Sequence, residues 1–148
     1  MKETTLPSLF HILHIEDDEV DAEMVVRALR THRLDTPYTL ARDGVEARSL
    51  LRGQDGHPRL SQPYVILMDI NLPRMNGIEF LHVLRQDADL ERSIVFVLTT
   101  SNRDEDKVAT YNEQIAGYIL KAKAGEDVRR VLRLLDSYNY CVEFPPEV

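Results

Sequence analysis

The chain has 148 residues, 43% of them hydrophobic and 29% charged, with a formal net charge of -7 and a single cysteine, Cys141. That length suits one domain with a real core, and the acidic balance argues against a nucleic-acid partner, which needs a basic footprint. One cysteine excludes an intramolecular disulfide and a cysteine-based metal site. With no apolar run of membrane-spanning length and no leader-like segment, the expectation is a cytoplasmic protein whose partners are proteins.

Apolar runs alternate with helix-period segments, the pattern of repeated βα units around a parallel sheet. The first strand is expected over Phe10–Ile15, and its helix from about Asp18 to Thr31, with Val20, Met24, Ala28 and Leu29 near helical spacing. Asp17 or Asp18 would cap that helix. A second strand near Tyr38–Ala41 leads through Asp43-Gly44 into a helix carrying Val45, Ala47, Leu50 and Leu51. Gly53 to Pro63, with two Gly and two Pro, reads as a surface loop.

The third strand, Tyr64–Met68, is the most apolar, as a central strand covered on both faces should be. Its helix is expected after Asn76-Gly77, with Ile78, Phe80, Leu81 and Leu84 inward. A fourth strand, Ile94–Leu98, ends in Thr99-Thr100-Ser101 and precedes a weaker helix over 103–112. The fifth strand, Tyr118–Leu120, ends at Lys121; a last helix over 126–137 carries Val128, Val131, Leu132 and Leu135. The fold class that follows is α/β, a five-stranded parallel sheet of doubly wound, flavodoxin-like (βα)5 topology.

In such a sheet ligands bind outside the carboxyl ends of the strands, and Glu16, Asp17, Asp69, Thr99 and Lys121 all fall at strand ends. Three or four carboxylates in one pocket repel: at ~5 Å and an effective dielectric of about 20, each pair costs roughly 3 kcal/mol. A hard divalent cation relieves this with oxygen ligands, and Mg²⁺ uses one or two carboxylates while keeping waters and phosphate oxygens. The arrangement suits phosphoryl chemistry.

An acidic pair after the first strand, an Asp after the third followed by Pro73 and Gly77, a Thr after the fourth and a Lys after the fifth, all in order, resemble the receiver domain of two-component response regulators over about residues 9–136. The resemblance implies that Asp69 is the phosphoacceptor, loaded from the phosphohistidine of a sensor histidine kinase. It implies Mg²⁺ held by Asp17, Asp69, Glu16 (directly or through water) and the Asn71 carbonyl, and Lys121 paired with a phosphoryl oxygen. Thr99 and Tyr118 would be the switch residues. Slow self-dephosphorylation apart, the protein would be no enzyme.

One departure is that the family usually has Pro after the lysine, often with a cis bond, whereas Ala122 follows Lys121 here; a cis bond to a non-proline residue costs about 2.5–4 kcal/mol. In this feature, in the Glu16-Asp17 pair, in Leu98-Thr99-Thr100-Ser101 and in the extended tail, the chain resembles the single-domain regulators associated with bacterial phytochromes, which implies a phytochrome as the kinase.

Taken singly, each residue has a plainer reading. Acids at a helix start are commonly caps, an Asp before a Pro-containing turn is often a turn residue, Lys121 could be a solvated charge and Tyr118 an ordinary strand residue. Other functions also compete. A haloacid-dehalogenase-like hydrolase needs a second Asp where Asn71 stands; a flavodoxin-like redox domain needs a Ser, Thr and Gly-rich loop where Glu16-Asp17-Asp18 stands; a pseudo-receiver scaffold would lack one of the acids. The tail, residues 137–148, carries Tyr138, Tyr140, Cys141, Val142 and Phe144 without a basic stretch, and reads as a segment folded onto its own core or as the arm of a homodimer rather than a DNA-binding output.

Overall fold

Five short apolar runs become five parallel strands in the computed structural model, which describes residues 10–31, 36–121, 128–141 and 143. In chain order the elements are β1 (His11–Ile15), α1 (Glu19–Thr31), β2 (Tyr38–Ala41), α2 (Gly44–Arg52), β3 (Tyr64–Met68), α3 (Gly77–Gln86), β4 (Ile94–Thr99), α4 (Asp104–Asn112), β5 (Gly117–Leu120) and α5 (Val128–Cys141). The strand order is β2-β1-β3-β4-β5, the doubly wound topology expected from the sequence.

Side chains alternate across a strand, so each run feeds two cores. On one face Leu13, Ile15, Ile66, Met68, Val95 and Val97 meet Ala47, Leu50 and Leu51 of α2 and Phe80, Leu81 and Leu84 of α3. On the other, Ile12, Val65, Leu67, Phe96 and Leu98 meet Val25 and Leu29 of α1 and Val131 and Leu135 of α5. The central strand β3 is buried on both sides, as its unbroken apolar sequence requires.

Local chemistry sets the helix starts. Asp18 takes hydrogen bonds on Oδ1 from the N–H groups of Val20 (2.9 Å) and Asp21 (3.0 Å), so it caps α1. Asp43 caps α2 by accepting from Glu46 N–H. At α3 the cap is reciprocal: Asn76 Oδ1 accepts from Glu79 N–H (2.9 Å), and Glu79 Oε1 accepts from Asn76 N–H (3.1 Å). Asn76→Ala leaves one of these donors without its partner, and urea unfolding should read a loss of about 1 kcal/mol; an unchanged midpoint would remove the cap from the account of α3.

Three elements run longer than the apolar pattern indicates, β5 by the single residue Gly117 at its start. β4 takes in Thr99, whose side chain is fully buried. The last helix continues to Cys141, past the expected end at Ser137, so Tyr138, Tyr140 and Cys141 lie on a helix rather than in an irregular tail. Its expected start at Glu126 lies outside the described residues, as do the bond partner Ala122, Val142 and the tail residues 144–148.

Candidate functional site

The register brings the strand ends level: Ile15 pairs with Met68 and Ala41, Met68 with Val97, and Thr99 with Leu120. The next residue out on each of the three strands β1, β3 and β5 is therefore Glu16, Asp69 and Lys121. The backbone N–H of Asp69 donates to the Ile15 carbonyl at 3.0 Å, which locks the ends of β1 and β3 together.

At this edge one ammonium closes a ring of acids. Lys121 Nζ donates to Glu16 Oε1 (2.7 Å), Asp69 Oδ2 (2.8 Å) and Asp21 Oδ2 (2.7 Å). The side chain of Glu16 is 1% exposed, that of Asp69 7% and that of Lys121 14%. The other oxygen of Asp69, Oδ1, accepts from the N–H groups of Ile70 (2.7 Å) and Asn71 (3.3 Å), so the plane of the carboxylate is fixed from both sides. Burial pushes the Glu16 carboxyl up to about 7, the Lys121 hydrogen bond opposing and the Asp69 charge adding. Burial pulls the Lys121 ammonium down, but its bonds to Asp21, Asp69 and Glu16 prevail and hold it charged.

The remaining sequence candidates surround this contact at different distances. Asp17 lies exposed, its carboxylate in no ion pair with another described residue. Asn71 sits on the loop after β3 and reaches the site through its N–H. Thr99 Oγ1 accepts from Ser101 N–H (3.3 Å), and the Tyr118 hydroxyl donates to the Ser101 carbonyl (2.8 Å). Thr99 and Tyr118 are thus joined through the loop after β4, without a direct bond to each other. Asp18 caps α1 with its side chain, and its N–H donates to Glu16 Oε2 (3.2 Å).

Gly77 explains the spacing between Asp69 and the next helix. Its N–H donates to the Ile70 carbonyl (2.8 Å), and a Cβ there would lie 2.5 Å from the Asp69 carbonyl oxygen. Only a residue without a side chain lets α3 start this close to the end of β3.

Three features escaped the sequence reading. Asp21, in the first turn of α1, is the third partner of Lys121; its place three residues after the capping Asp18 was the available signal. Asp43, 4% exposed, does more than turn the chain: Arg74, at φ 61°, donates from Nε (2.6 Å) and Nη2 (3.0 Å) to its carboxylate and so straps the loop after β3 to the loop after β2. His14 is buried beside the cluster and shares a 2.7 Å hydrogen bond with the Tyr38 hydroxyl. Burial, then the Lys121 charge, lowers its pKa to about 3, so it stays neutral.

Whether the donor set fits a cation follows from its chemistry. Among the described residues no three His, Cys, Asp or Glu side chains form a ready cage. The cluster is nevertheless all oxygen, and a single ammonium serves three carboxylates. That surplus negative charge suits a hard cation of the Mg²⁺ type, which needs only one or two carboxylates and keeps its waters.

The family model for the response regulator receiver domain matches residues 12–133. The chain belongs to this family. Response regulator Rcp1 of Synechocystis sp. is 33% identical over 127 residues, which is 86% of either chain. The crystal structure of the Mn(2+)-bound form of Rcp1 superposes with a TM-score of 0.78 over 93% of this chain and 99% of that one. The phosphorylated cyanobacterial phytochrome response regulator RcpA, 28% identical, superposes with a TM-score of 0.82 over the same shares. The receiver fold expected from the strand ends is thereby shown, and no helix among the described residues is long and apolar enough to cross a membrane.

Proposed function

We propose that this receiver accepts a phosphoryl group on Asp69 from the phosphohistidine of a sensor histidine kinase. The observation that carries the reading is the buried contact of Lys121 with both Glu16 and Asp69, which unites three strand ends around one carboxylate of fixed orientation. In the transfer, the N–P bond of the phosphohistidine breaks as an Asp69 oxygen bonds to phosphorus, and the imidazole keeps the electron pair and takes up a proton. Little covalent work falls to the protein, which positions the groups and balances charge. Lys121 gives one of its N–H donors to a phosphoryl oxygen. Glu16, Asp17, Asp69 and the Asn71 carbonyl would hold Mg²⁺, which supplies neutralisation of charge building on the phosphoryl oxygens.

Replacing the single charge of the Asp69 carboxylate with a phosphoryl group that carries about -1.5 to -2 charges gives the buried Thr99 a new acceptor. Since its hydroxyl currently accepts from Ser101, which also holds Tyr118, a change at Thr99 passes to the tyrosine. Similarity to Rcp1 and RcpA supports a phytochrome as the kinase. A homodimer through the C-terminal region, residence in the cytoplasm, no nucleic-acid partner and no enzymatic turnover beyond slow self-dephosphorylation complete the proposal.

Intact mass after incubation with a small acyl-phosphate donor tests it. A single phosphoryl adduct is expected in the wild type with Mg²⁺, and none without the cation or in Asp69→Asn; light scattering on the same samples reads the dimer. An adduct that survives Asp69→Asn would place the chemistry elsewhere. A folded wild type that takes phosphate neither from the donor nor from any histidine kinase would leave the scaffold reading in the lead.

A further inference from the structure

Lys121 has three N–H donors, and all three are committed: to Glu16 on the loop after β1, to Asp69 after β3 and to Asp21 in the first turn of α1. We propose that Asp21 is a positioning residue for Lys121, the anchor that keeps the ammonium over the site while its other two partners change. The inference rests on the reading of Asp69 as phosphoacceptor.

When Asp69 becomes an acyl phosphate, the oxygen that bonds phosphorus ceases to be a charged acceptor, and one Lys121 donor passes to a phosphoryl oxygen. When Glu16 turns its charge to a cation, a second donor loses its partner. Neither event touches Asp21. A lysine is a point charge on a flexible four-carbon stem, so an ammonium that lost both buried partners would be free to swing out to water. Asp21 prevents this from a fixed place: Asp18 Oδ1 accepts the Asp21 N–H at 3.0 Å, which sets the turn that presents its carboxylate. Asp21 is also the most exposed of the three acids, its side chain 33% exposed against 1% for Glu16 and 7% for Asp69. It therefore sits at the rim, where a tether costs little desolvation.

A double-mutant cycle on the full chain separates this role from a general effect of charge. Phosphorylation rate constants with the acyl-phosphate donor at saturating Mg²⁺ are read by intact mass for the wild type, Asp21→Asn, Lys121→Ala and the double variant. Asp21→Asn should slow the reaction about fivefold, the scale of one partly exposed ion pair. The same substitution in the Lys121→Ala background should change nothing, and Asp21→Glu should restore most of the rate. An equal factor in both backgrounds, or no change in the first, overturns the proposal.

A second measurement does not depend on phosphorylation. The rate at which an amine-acylating reagent modifies Lys121, read by peptide mapping in Mg²⁺, should rise about fivefold in Asp21→Asn by the same estimate. An unchanged rate overturns the anchor even if the lysine-free variants prove inactive. Failure of the phosphoacceptor reading shows itself separately, as a wild type without adduct or an Asp69→Asn variant that keeps one.

Discussion

Gly77→Ala should lower stability by about 3 kcal/mol or more, at the top of the range for overpacking, and should slow phosphorylation of Asp69 in the fraction that folds. The added Cβ would stand 2.5 Å from the Asp69 carbonyl oxygen and 2.8 Å from Ile70 Cα, both backbone atoms, and 3.0 Å from Met68 Cε. The methionine methyl can turn aside; the backbone cannot, because the Asp69 N–H is held by Ile15 and the Ile70 carbonyl by Gly77 itself. The chain must then pull α3 away from β3, breaking the Gly77-to-Ile70 bond, or push out the loop that bears Asp69. Either way the fold and the site suffer together. Gly117→Ala is the control, since a Cβ there meets only Phe96 ring carbons at 3.3 and 3.4 Å. Urea unfolding of the two variants side by side decides the matter, and equal losses would refute the close-approach argument.

Lys121→Met should cost about 3 kcal/mol, since it leaves buried carboxylates without their cation while keeping the apolar stem. The loss should depend on pH in a defined direction. In the folded wild type the Glu16 carboxyl is raised from its ordinary 4.5 to about 7. Between those values the folded protein keeps a proton that the unfolded chain has released, so the stability this supplies is full below 4.5 and lost as pH rises through about 7. Lys121 holds that carboxyl down, so its removal raises the carboxyl further. The variant's deficit should therefore be greatest above neutrality and shrink on acidification, as Glu16 takes up a proton and ceases to repel Asp69. Denaturant curves with a metal chelator, at about pH 8 and about pH 5.5 on either side of the shifted titration, measure the difference. A deficit that grows toward acid would mean that the lysine acts through packing and not through charge.

The parts of this molecule that could be read from the sequence are those governed by periodicity and by strand ends. The strand Tyr64–Met68 has to be central because Val65–Met68 is apolar on both faces, and once it is central Asp69 must surface beside Glu16. Lys121 follows from the same logic at the end of β5. Asp21 and Arg74 could not be found this way. Their partners, Lys121 and Asp43, are 100 and 31 residues away in the chain, and the contacts depend on how α1 crosses the sheet and on a left-handed residue, which composition does not signal. The apolar run stops at Leu98, and the hydroxyl residues after it suit a helix cap equally well; the structure pairs Thr99 with Leu120 as the last, fully buried residue of β4. The helical extension to Cys141 was hidden by Tyr138 and Tyr140, whose aromatic character suits helix and extended chain alike.

The opposite end of the sheet is built differently. There Arg85 of α3 donates to four main-chain carbonyls, those of Glu91 and Ser93 before β4 and of Glu113 and Gln114 before β5. Those acceptors are neutral peptide oxygens, which do not titrate, so the two loops share a fixed point across pH. At the carboxyl edge the joining groups are carboxylates and an ammonium, which proton, cation or phosphate can each reassign. The domain thus resembles a cantilever, welded at the edge joined through peptide oxygens and free to deflect at the edge joined through titratable groups, so that a local chemical event there is turned into displacement in one direction only.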